Sequence, residues 1–297
     1  MQSQIKIVKI MIYITGSSGF IGKAVVEELN LKGIIHKKLK IRHKILKKDL
    51  NLLNKPKNRN DNILIHLGWG KMEDPWSNFH LKNNYENSIK LFKTAKKNNF
   101  KKVVFCGSMN EYGNKYGPLK EGMKSGKLET LYAKGKYKLT NFGLKFFKKS
   151  TTDFFCVRPS YVYGSNQREG TLIDLLIKAS QKKTTLKMSK CSSYRDYIYV
   201  EDVAKGIVKI ALEEKKIETG IYNLGSGKCI TIRNFIIIFC KLIRFNKKFL
   251  KFGAIPDKKE QKQLKSYMIC NKIKKNLKWS PKSNIRFGLR KMAKIIL

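Results

Sequence analysis

Short apolar runs alternate with amphipathic stretches through the first half of the chain. The runs have the length and composition of buried strands, and the stretches between them carry apolar residues at helical spacing. We predict helices over residues 23–31, 83–98 and 131–148, and strands over residues 10–14, 39–42, 63–67, 103–106 and 154–158. This alternation predicts an α/β fold with a doubly wound parallel sheet.

The last part of the chain has a more mixed pattern. Residues 171–181 and 232–245 are predicted to be helices, and a glycine- and serine-containing turn is predicted at residues 225–227. We find no internal repeat and no low-complexity linker. We therefore expect any second domain to be built mainly from the last third of the chain and to pack closely on the first.

A glycine-rich turn separates the first predicted strand from the first predicted helix. Gly16, Gly19 and Gly22 are spaced GxxGxxG. Glycine permits unusual backbone angles and the close approach of a pyrophosphate, and the N-terminus of the following helix offers unpaired N–H groups to an anion. The turn therefore indicates phosphate binding, with an ordinary strand–turn–helix connection as the alternative.

The net charge of +43 would ordinarily indicate a nucleic-acid or anionic-membrane partner. Here the lysines are spread along the whole chain in pairs, interleaved with Asn and Ile, and no basic stripe carries interleaved aromatic residues. We interpret them as a solvated surface and expect neither a specific nucleic-acid partner nor a membrane partner.

The six cysteines include no CxxC pair, and several lie inside apolar runs. This usage indicates reduced thiols and a cytoplasmic setting, and we expect no metal site. The longest apolar run, residues 235–240, is far too short to span a bilayer, and no secretory signal is visible.

Tyr132 and Lys136 are four residues apart in a predicted helix, which places them on one face. A neighbouring cation favours phenolate, so Lys136 is expected to lower the pKa of Tyr132. Ser108 follows a predicted strand, and parallel sheets present ligand-binding groups at the carboxyl ends of their strands. Together the three side chains suggest proton transfer at an alcohol or carbonyl oxygen. Each alone has a simpler explanation, since lysine is abundant and serine caps turns.

These residues resemble those of a known family, the extended short-chain dehydrogenase/reductases, and within it the NAD(P)-dependent nucleotide-sugar epimerases, dehydratases and reductases. Asn84 matches the structural asparagine of that family, and Tyr132 and Lys136 match its catalytic pair. The other matching segments are residues 15–22, 65–69, 108–113, 157–164, 194–204 and 221–227.

The resemblance implies roles for individual residues. The implied catalytic residues are Ser108, Tyr132 and Lys136. The implied substrate-binding residues are Ser108, Tyr132, Tyr161 and Arg195, and Arg195 is expected to bind the substrate diphosphate. Tyr161 stands where many relatives have asparagine. The implied cofactor-binding residues are Gly16, Ser18, Gly19, Phe20, Ile21, Gly22, Arg42, Asp49, Leu50, Leu67, Gly68, Trp69, Asn84, Lys136 and Pro159.

The resemblance also implies a domain organisation and an assembly. We expect a Rossmann domain that binds NAD(P) and a smaller C-terminal α/β domain that binds the substrate. By analogy with relatives, we also expect a homodimer. The Rossmann domain is assigned residues 1–165, joined by residues 195–220, and the substrate-binding domain residues 166–194 and 221–297.

The cofactor prediction depends on the second strand. An acid that binds the ribose diol of NAD usually ends this strand, but here no carboxylate occurs before Asp49, which more plausibly faces the adenine. Arg42 could instead bind a 2′-phosphate. We therefore predict NADP, with NAD as the alternative.

The expected reaction is reduction of the 4-keto group of a nucleotide-activated 6-deoxy sugar. Met109 and Asn110 replace the Asp-Glu pair of the dehydratases, and Glu111, displaced by one residue, should point elsewhere. Residues 252–256 and 277–281 resemble the C-terminal region of CDP- and dTDP-linked deoxysugar reductases. The alternatives are a nucleotide-sugar 4-epimerase with tightly bound NAD and a non-catalytic protein that binds a dinucleotide or RNA.

Overall fold

A computed structural model describes residues 10–39, 50–51, 53, 61–256 and 265–296 of the protein. Its strands are β1 Met11–Thr15, β2 His36–Leu39, β3 Asn62–His66, β4 Lys102–Cys106, β5 Gly117–Leu119, β6 Asp153–Pro159, β7 Tyr161–Tyr163, β8 Leu186–Met188, β9 Tyr194–Arg195, β10 Tyr197–Tyr199, β11 Gly220–Leu224, β12 Ile230–Thr231, β13 Leu250–Phe252 and β14 Ser266–Met268.

The α-helices are α1 Phe20–Leu31, α2 Glu86–Lys97, α3 Leu131–Phe146, α4 Leu172–Lys182, α5 Val200–Leu212, α6 Ile232–Leu242, α7 Asn271–Leu277 and α8 Ile285–Ile296. A π-helical turn, His80–Tyr85, leads directly into α2. Among the described residues, none of these helices combines the length and the apolar character needed to cross a membrane.

The central sheet has six strands in the order β11-β6-β4-β3-β1-β2. β1 runs parallel to both β2 and β3, β3 runs parallel to β4, and β4 runs parallel to β6. This arrangement confirms the predicted α/β fold of the Rossmann type. It also places the carboxyl ends of β1, β3 and β4 side by side, where such sheets bind ligands.

The predicted strands at β1, β3, β4 and β6 match the structure within one residue. The second strand begins earlier than predicted, at His36, and shares Leu39 with the predicted residues 39–42, of which 40–42 lie outside the described part of the chain. β2 is an edge strand in which Lys37 and Lys38 are exposed, so it lacks the apolar run by which the other strands were recognised.

The chain folds into two compact units. The first takes its described residues from 1–111, 128–158 and 207–222, and the second from 112–127, 159–206 and 223–297. The predicted domain limits differ from these units in four places: residues 112–127, 159–165 and 195–206 group with the second unit, and residues 221–222 group with the first. The assignment of a cofactor domain and a substrate domain stays a prediction.

Each unit has its own apolar core. Tyr13, Leu64, Phe92, Phe105 and Phe154 belong to the core of the first unit, which lies between the sheet and helices α2 and α3. In the second unit the core joins α4, α6 and α8 around aromatic and aliphatic residues such as Tyr163, Phe235, Phe239 and Leu289. The sheet that positions the candidate site therefore rests on a closely packed core of its own.

Candidate active site

The glycine turn after β1 is built so that only glycine fits at two of its positions. Gly16 has a φ of +68°, and a Cβ there would lie 2.6 Å from the backbone nitrogen of Gly68. A Cβ at Gly22 would overlap the carbonyl oxygen of Gly16. Gly19 donates its N–H to that oxygen at 3.0 Å and begins α1 without a side-chain cap. The first-turn N–H groups of α1 are thus suited to hold a phosphate.

A cavity of about 290 Å³ opens beside this turn. It is lined by Thr15, Gly16, Ser18, Gly19, His66, Leu67, Gly68, Trp69, Gly70, Phe79, Asn84, Asn87, Ser88 and Leu91. Glycine backbone, small polar side chains and a few aromatic and aliphatic groups share this lining. Such a lining fits the phosphates and riboses of a dinucleotide.

The predicted cofactor-binding residues fall into three groups. Gly16, Ser18, Gly19, Leu67, Gly68, Trp69 and Asn84 line the cavity. Phe20, Ile21 and Gly22 open helix α1, Lys136 lies in α3, Pro159 ends β6, and Leu50 packs against the core of the first unit. Arg42 and Asp49 lie outside the described residues.

His66 connects the end of β1 to the helix that follows the π-helical turn. Its Nδ1 lies 2.6 Å from the Thr15 hydroxyl, and its Nε2 lies 2.8 Å from the Ser88 hydroxyl. Burial, together with the charge of Lys136, lowers the pKa of His66 to about 3, so the imidazole is neutral at physiological pH. The Thr15 hydroxyl in turn accepts the Gly68 N–H at 3.1 Å, which fixes the loop that lines the cavity.

Asn84 fixes the same loop at Gly70, two residues after Gly68. Its Oδ1 accepts the Gly70 N–H, and its Nδ2 donates to the Gly70 carbonyl, both at 2.9 Å. A reciprocal pair of this kind satisfies both backbone groups of one loop residue. The position matches the structural asparagine implied by the resemblance.

The structure brings together Ser108, Tyr132 and Lys136 within the first unit. Ser108 is buried just beyond the end of β4, and its hydroxyl is near enough to the Tyr132 phenol to lower the pKa of that phenol. Thr130 caps α3 by accepting the Ala133 N–H at 3.1 Å, which sets the start of the helix that carries Tyr132 and Lys136. Lys136 donates to the Cys106 carbonyl at 2.6 Å. A phenol, a hydroxyl and an ammonium therefore share one end of the sheet.

The pKa of Tyr132 moves in the opposite direction to the sequence-based expectation. Burial raises the pKa of the phenol, and the nearby Ser108 hydroxyl opposes this rise only in part. The Lys136 ammonium lies 6.0 Å from the centroid of the Tyr132 ring and is bonded to the Cys106 carbonyl instead. Burial also lowers the pKa of Lys136. Desolvation outweighs the attraction that the helical spacing suggested.

Glu111 supports the backbone of Ser108. Its Oε1 accepts the Ser108 N–H at 2.8 Å, and its Oε2 accepts from Arg158 Nε at 3.1 Å and Nη2 at 2.9 Å. Both charged side chains are buried. Gly107 leaves room for this arrangement, because a Cβ there would overlap the carboxylate. Glu111 is thus held in an ion pair, in agreement with the expectation that it points elsewhere.

The second unit brings together the two remaining predicted substrate-binding residues. The Arg195 guanidinium lies 4.6 Å from the centroid of the Tyr161 ring, and its Nη1 donates to the Tyr194 carbonyl at 2.8 Å. Burial raises the pKa of Tyr161, and the charge of Arg195 opposes the rise. The adjacent Asp196 accepts from Ser226 Oγ at 2.6 Å and from the Met268 N–H at 2.9 Å, which anchors this segment.

Sequence reasoning missed several residues of the site. Asn87 and Ser88 line the cavity, and their spacing of three and four residues from Asn84 on a helix could have revealed them. His80, which is fully buried, was also not predicted. It lies four residues before Asn84, so the same helical spacing could have indicated it. Within the described part of the chain, no group of three or more His, Cys, Asp or Glu residues is arranged to hold a metal ion.

Similarity to known proteins extends over most of the chain. The family model of the NAD dependent epimerase/dehydratase family matches residues 12–225. ADP-L-glycero-D-manno-heptose-6-epimerase from Brachyspira hyodysenteriae is 26% identical, over 96% of this chain and 98% of that protein. dTDP-6-deoxy-L-talose 4-dehydrogenase (NAD(+)) from Aggregatibacter actinomycetemcomitans is 24% identical, over 76% of this chain and 87% of its own length.

A solved structure shows the same fold. RMD from Pseudomonas aeruginosa complexed with NADPH has a TM-score of 0.80 at 19% sequence identity. The match covers 96% of this chain and 98% of that chain. At this level of identity the likeness establishes the shared fold.

Proposed function

Because this chain belongs to the NAD dependent epimerase/dehydratase family and is an enzyme of the extended short-chain dehydrogenase/reductase type, we propose that it reduces the 4-keto group of a nucleotide-activated 6-deoxy sugar. The observation that carries the proposal is the grouping of Ser108, Tyr132 and Lys136, in which the Lys136 ammonium lies 6.0 Å from the centroid of the Tyr132 ring and donates to the Cys106 carbonyl. These groups lie at the end of β4, next to the strand whose end borders the cavity.

Each residue of this group has one task in the proposed reaction. A bound nicotinamide dinucleotide supplies the hydride for carbon 4 of the sugar. Tyr132 donates a proton to the oxygen on that carbon, and Ser108 hydrogen-bonds the same oxygen. Lys136 would hold the nicotinamide ribose. Burial raises the pKa of Tyr132, so the phenol carries the proton at physiological pH.

The dinucleotide would be held by the turn after β1 and the residues around the cavity. The open end of α1 fits its pyrophosphate, since Gly16 and Gly22 let the backbone approach and no side chain caps the helix at Gly19. Leu67, Gly68 and Trp69 line the same cavity.

We assign Tyr161 and Arg195 to the sugar nucleotide. A guanidinium presents a planar fork that suits the oxygens of a diphosphate, and Arg195 lies against the Tyr161 ring, which limits its movement. The substrate class also follows from the family and from relatives whose names contain nucleotide-linked sugars.

The ion pair of Glu111 argues against a dehydratase. Removal of water from a sugar needs an acid and a base beside the carbons that react. Met109 and Asn110 replace the Asp-Glu pair that dehydratases carry at these two positions. The next residue, Glu111, is buried in an ion pair with Arg158. This chain therefore offers no carboxyl group from that segment to the substrate.

An epimerase is the second candidate. It is favoured by the heptose-6-epimerase from Brachyspira hyodysenteriae, which aligns with this chain over 98% of its own length. A 4-epimerase would use the same three side chains while keeping its nicotinamide bound through both half-reactions. It predicts NAD that copurifies with the protein and turnover without added reductant.

A spectrophotometric assay separates the two candidates. Purified protein is mixed with NADPH or NADH and a small panel of 4-keto-6-deoxy sugar nucleotides, and the loss of absorbance of the reduced cofactor is followed. The reductase predicts oxidation of the cofactor with at least one substrate. Oxidation of neither cofactor, together with turnover of a 4-hydroxy sugar nucleotide by protein carrying bound NAD, would identify an epimerase.

We further propose NADPH as the preferred cofactor, with NADH as the alternative. Arg42 supports this choice, since its guanidinium could bind the 2′-phosphate of NADPH. An acid that would bind the ribose diol of NADH is missing from residues 40–48. A charge-assisted hydrogen bond contributes about 1.5–3 kcal/mol, so Arg42→Leu should raise the KM for NADPH by roughly 10–100-fold and leave that for NADH unchanged. Lys40→Leu is the matched control, and equal effects of the two variants would contradict the assignment.

We also propose a homodimer, an assembly supported by the resemblance alone. Size-exclusion chromatography with light scattering measures the mass in solution directly. A mass that stays at the 34.4 kDa of one chain over a range of protein concentrations would exclude this assembly.

A further inference from the structure

The ammonium of Lys136 is held by aromatic faces as well as by a carbonyl. The side chain is 3% exposed, and Nζ lies 4.0 Å from the centroid of the Trp69 ring and 4.8 Å from that of Phe105. A buried ammonium is costly unless it is compensated, and the negative face of an indole is the strongest aromatic partner for it. Trp69 therefore contributes directly to keeping a charge at this position.

The plane of the Trp69 indole is set by His80. The indole N–H donates to His80 Nδ1 at 3.0 Å, and the two rings are nearly parallel, with an interplanar angle of 13°. His80 Nδ1 also accepts from Asn84 Nδ2 at 3.2 Å, whereas Nε2 donates to the Asp74 carbonyl at 2.9 Å. His80 therefore carries its proton on Nε2 in this arrangement.

The same two rings contact the phenol ring of Tyr132. That ring stands edge-on to Trp69 at 6.3 Å and to His80 at 5.5 Å, with interplanar angles of 87° and 74°. Helix α3 reaches them because residue 135 is glycine. A Cβ at Gly135 would lie 2.8 Å from the His80 carbonyl oxygen and 3.2 Å from Trp69 Cζ2.

We propose that Trp69 is a positioning residue that binds the Lys136 ammonium through its indole face and fixes the Tyr132 phenol by an edge-on contact, while His80 anchors the indole. The inference rests on the proposed function in one respect, that Tyr132 and Lys136 are the catalytic pair. It assigns Trp69 a task beyond lining the cofactor cavity.

The expected signature is a change in the pH dependence of turnover. The indole face favours the charged form of Lys136, so its removal lets the proton leave at lower pH. We assign the alkaline limb of the kcat profile to loss of the proton from Lys136. The other titratable groups that face Lys136 are Cys106 on β4, Cys156 on β6, Glu111 after β4 and His66 on β3.

Two substitutions separate the aromatic face from the rest of the side chain. Trp69→Leu and Trp69→Phe both remove the indole N–H and leave a smaller apolar group, but Phe keeps a π face. We expect the alkaline limb to move to lower pH by about 1 unit in Trp69→Leu and to stay near its original position in Trp69→Phe. Trp76→Leu, at a half-exposed tryptophan seven residues away, is the control and should leave the profile unchanged.

A second measurement needs no turnover. The Lys136 ammonium lies over the indole, so the NMR signals of the neighbouring ε-methylene protons should be shifted upfield in the wild-type protein labelled with carbon-13 at lysine Cε. The signal is assigned by its loss in Lys136→Met. We expect the upfield shift to disappear in Trp69→Leu and to persist, reduced, in Trp69→Phe.

The outcomes distinguish this inference from the proposed function. An unshifted Lys136 signal in the wild-type protein, or pH profiles of Trp69→Leu and Trp69→Phe that both match the wild type, would overturn the role of Trp69. A shifted signal in a protein that oxidises neither reduced cofactor would support the contact while contradicting the proposed reductase.

Discussion

Two lysines of the first unit are buried equally, at 3% exposure each, yet their surroundings differ. Lys102, on β4, donates to the carbonyls of Ile210 at 3.2 Å and Ala211 at 3.4 Å, and also to that of Glu213. These carbonyls lie at and just beyond the end of α5, where backbone acceptors lack helical partners. Lys102 therefore acts as a helix cap.

Lys136 is compensated in another way. Within the described part of the chain, Nζ has one hydrogen bond, to the Cys106 carbonyl, and two aromatic faces around it. An ammonium has three N–H donors, so this arrangement holds the charge while leaving donors for a ligand. Burial alone therefore does not distinguish the two lysines. They differ in how many backbone carbonyls accept from the ammonium, three for Lys102 and one for Lys136 among the described residues.

The largest expected effect is on turnover in Lys136→Met. Loss of the ammonium removes the proposed contact with the nicotinamide ribose and the charge near Tyr132, so we expect kcat/KM to fall by about 10³-fold. Thermal unfolding should not occur at a lower temperature, since burial of this charge costs free energy. The enzyme assay and a melting curve measure the two quantities. Activity within tenfold of the wild type would make Lys136 a structural lysine like Lys102.

Tyr132→Phe removes a single oxygen atom and tests the other member of the proposed catalytic pair. General acid catalysis contributes at least about 10²-fold, so kcat should fall by that factor while the affinity for the reduced cofactor is retained. Initial rates and fluorescence titration of the cofactor provide the measurements. Turnover within about twofold of the wild type would show that another group donates the proton.

The smallest expected effect concerns Lys102 and stability. Burial lowers the pKa of Lys102 from 10.5 to about 8 in the folded protein. Between these values the unfolded chain binds more protons, so the free energy of unfolding should rise with pH, by at most about 1.4 kcal/mol per unit. Lys102→Met should lack this rise and retain turnover. Denaturant unfolding from pH 7 to 10.5 compares the two proteins, and parallel curves would refute the prediction.

Local pattern accounts for what could be predicted of the fold. β1, β3, β4 and β6 were recognised because each is a largely apolar run that is almost wholly buried. The beginning of β2 was not predicted because this polar edge strand carries no such run. Both α3 and α4 begin within one residue of the predicted start, where a threonine caps the helix.

In the candidate site, too, the features that lie within one segment could be predicted and the contacts between distant segments could not. The spacing of Tyr132 and Lys136 is a property of one helix, and the glycine turn is a property of one loop, so both could be read directly along the chain. Trp69 and Lys136, or Glu111 and Arg158, are far apart in the sequence. Nothing in either segment alone indicates that they meet.

The α/β alternation, the glycine turn and the helix that carries the proposed catalytic pair could be derived from the amino-acid sequence, because periodicity and backbone preference act over a few residues. The direction of the pKa shift of Tyr132, the aromatic surroundings of Lys136 and the ion pair of Glu111 became visible in the folded protein. These depend on desolvation and on contacts between distant strands and helices, which arise when the sheet places their ends side by side.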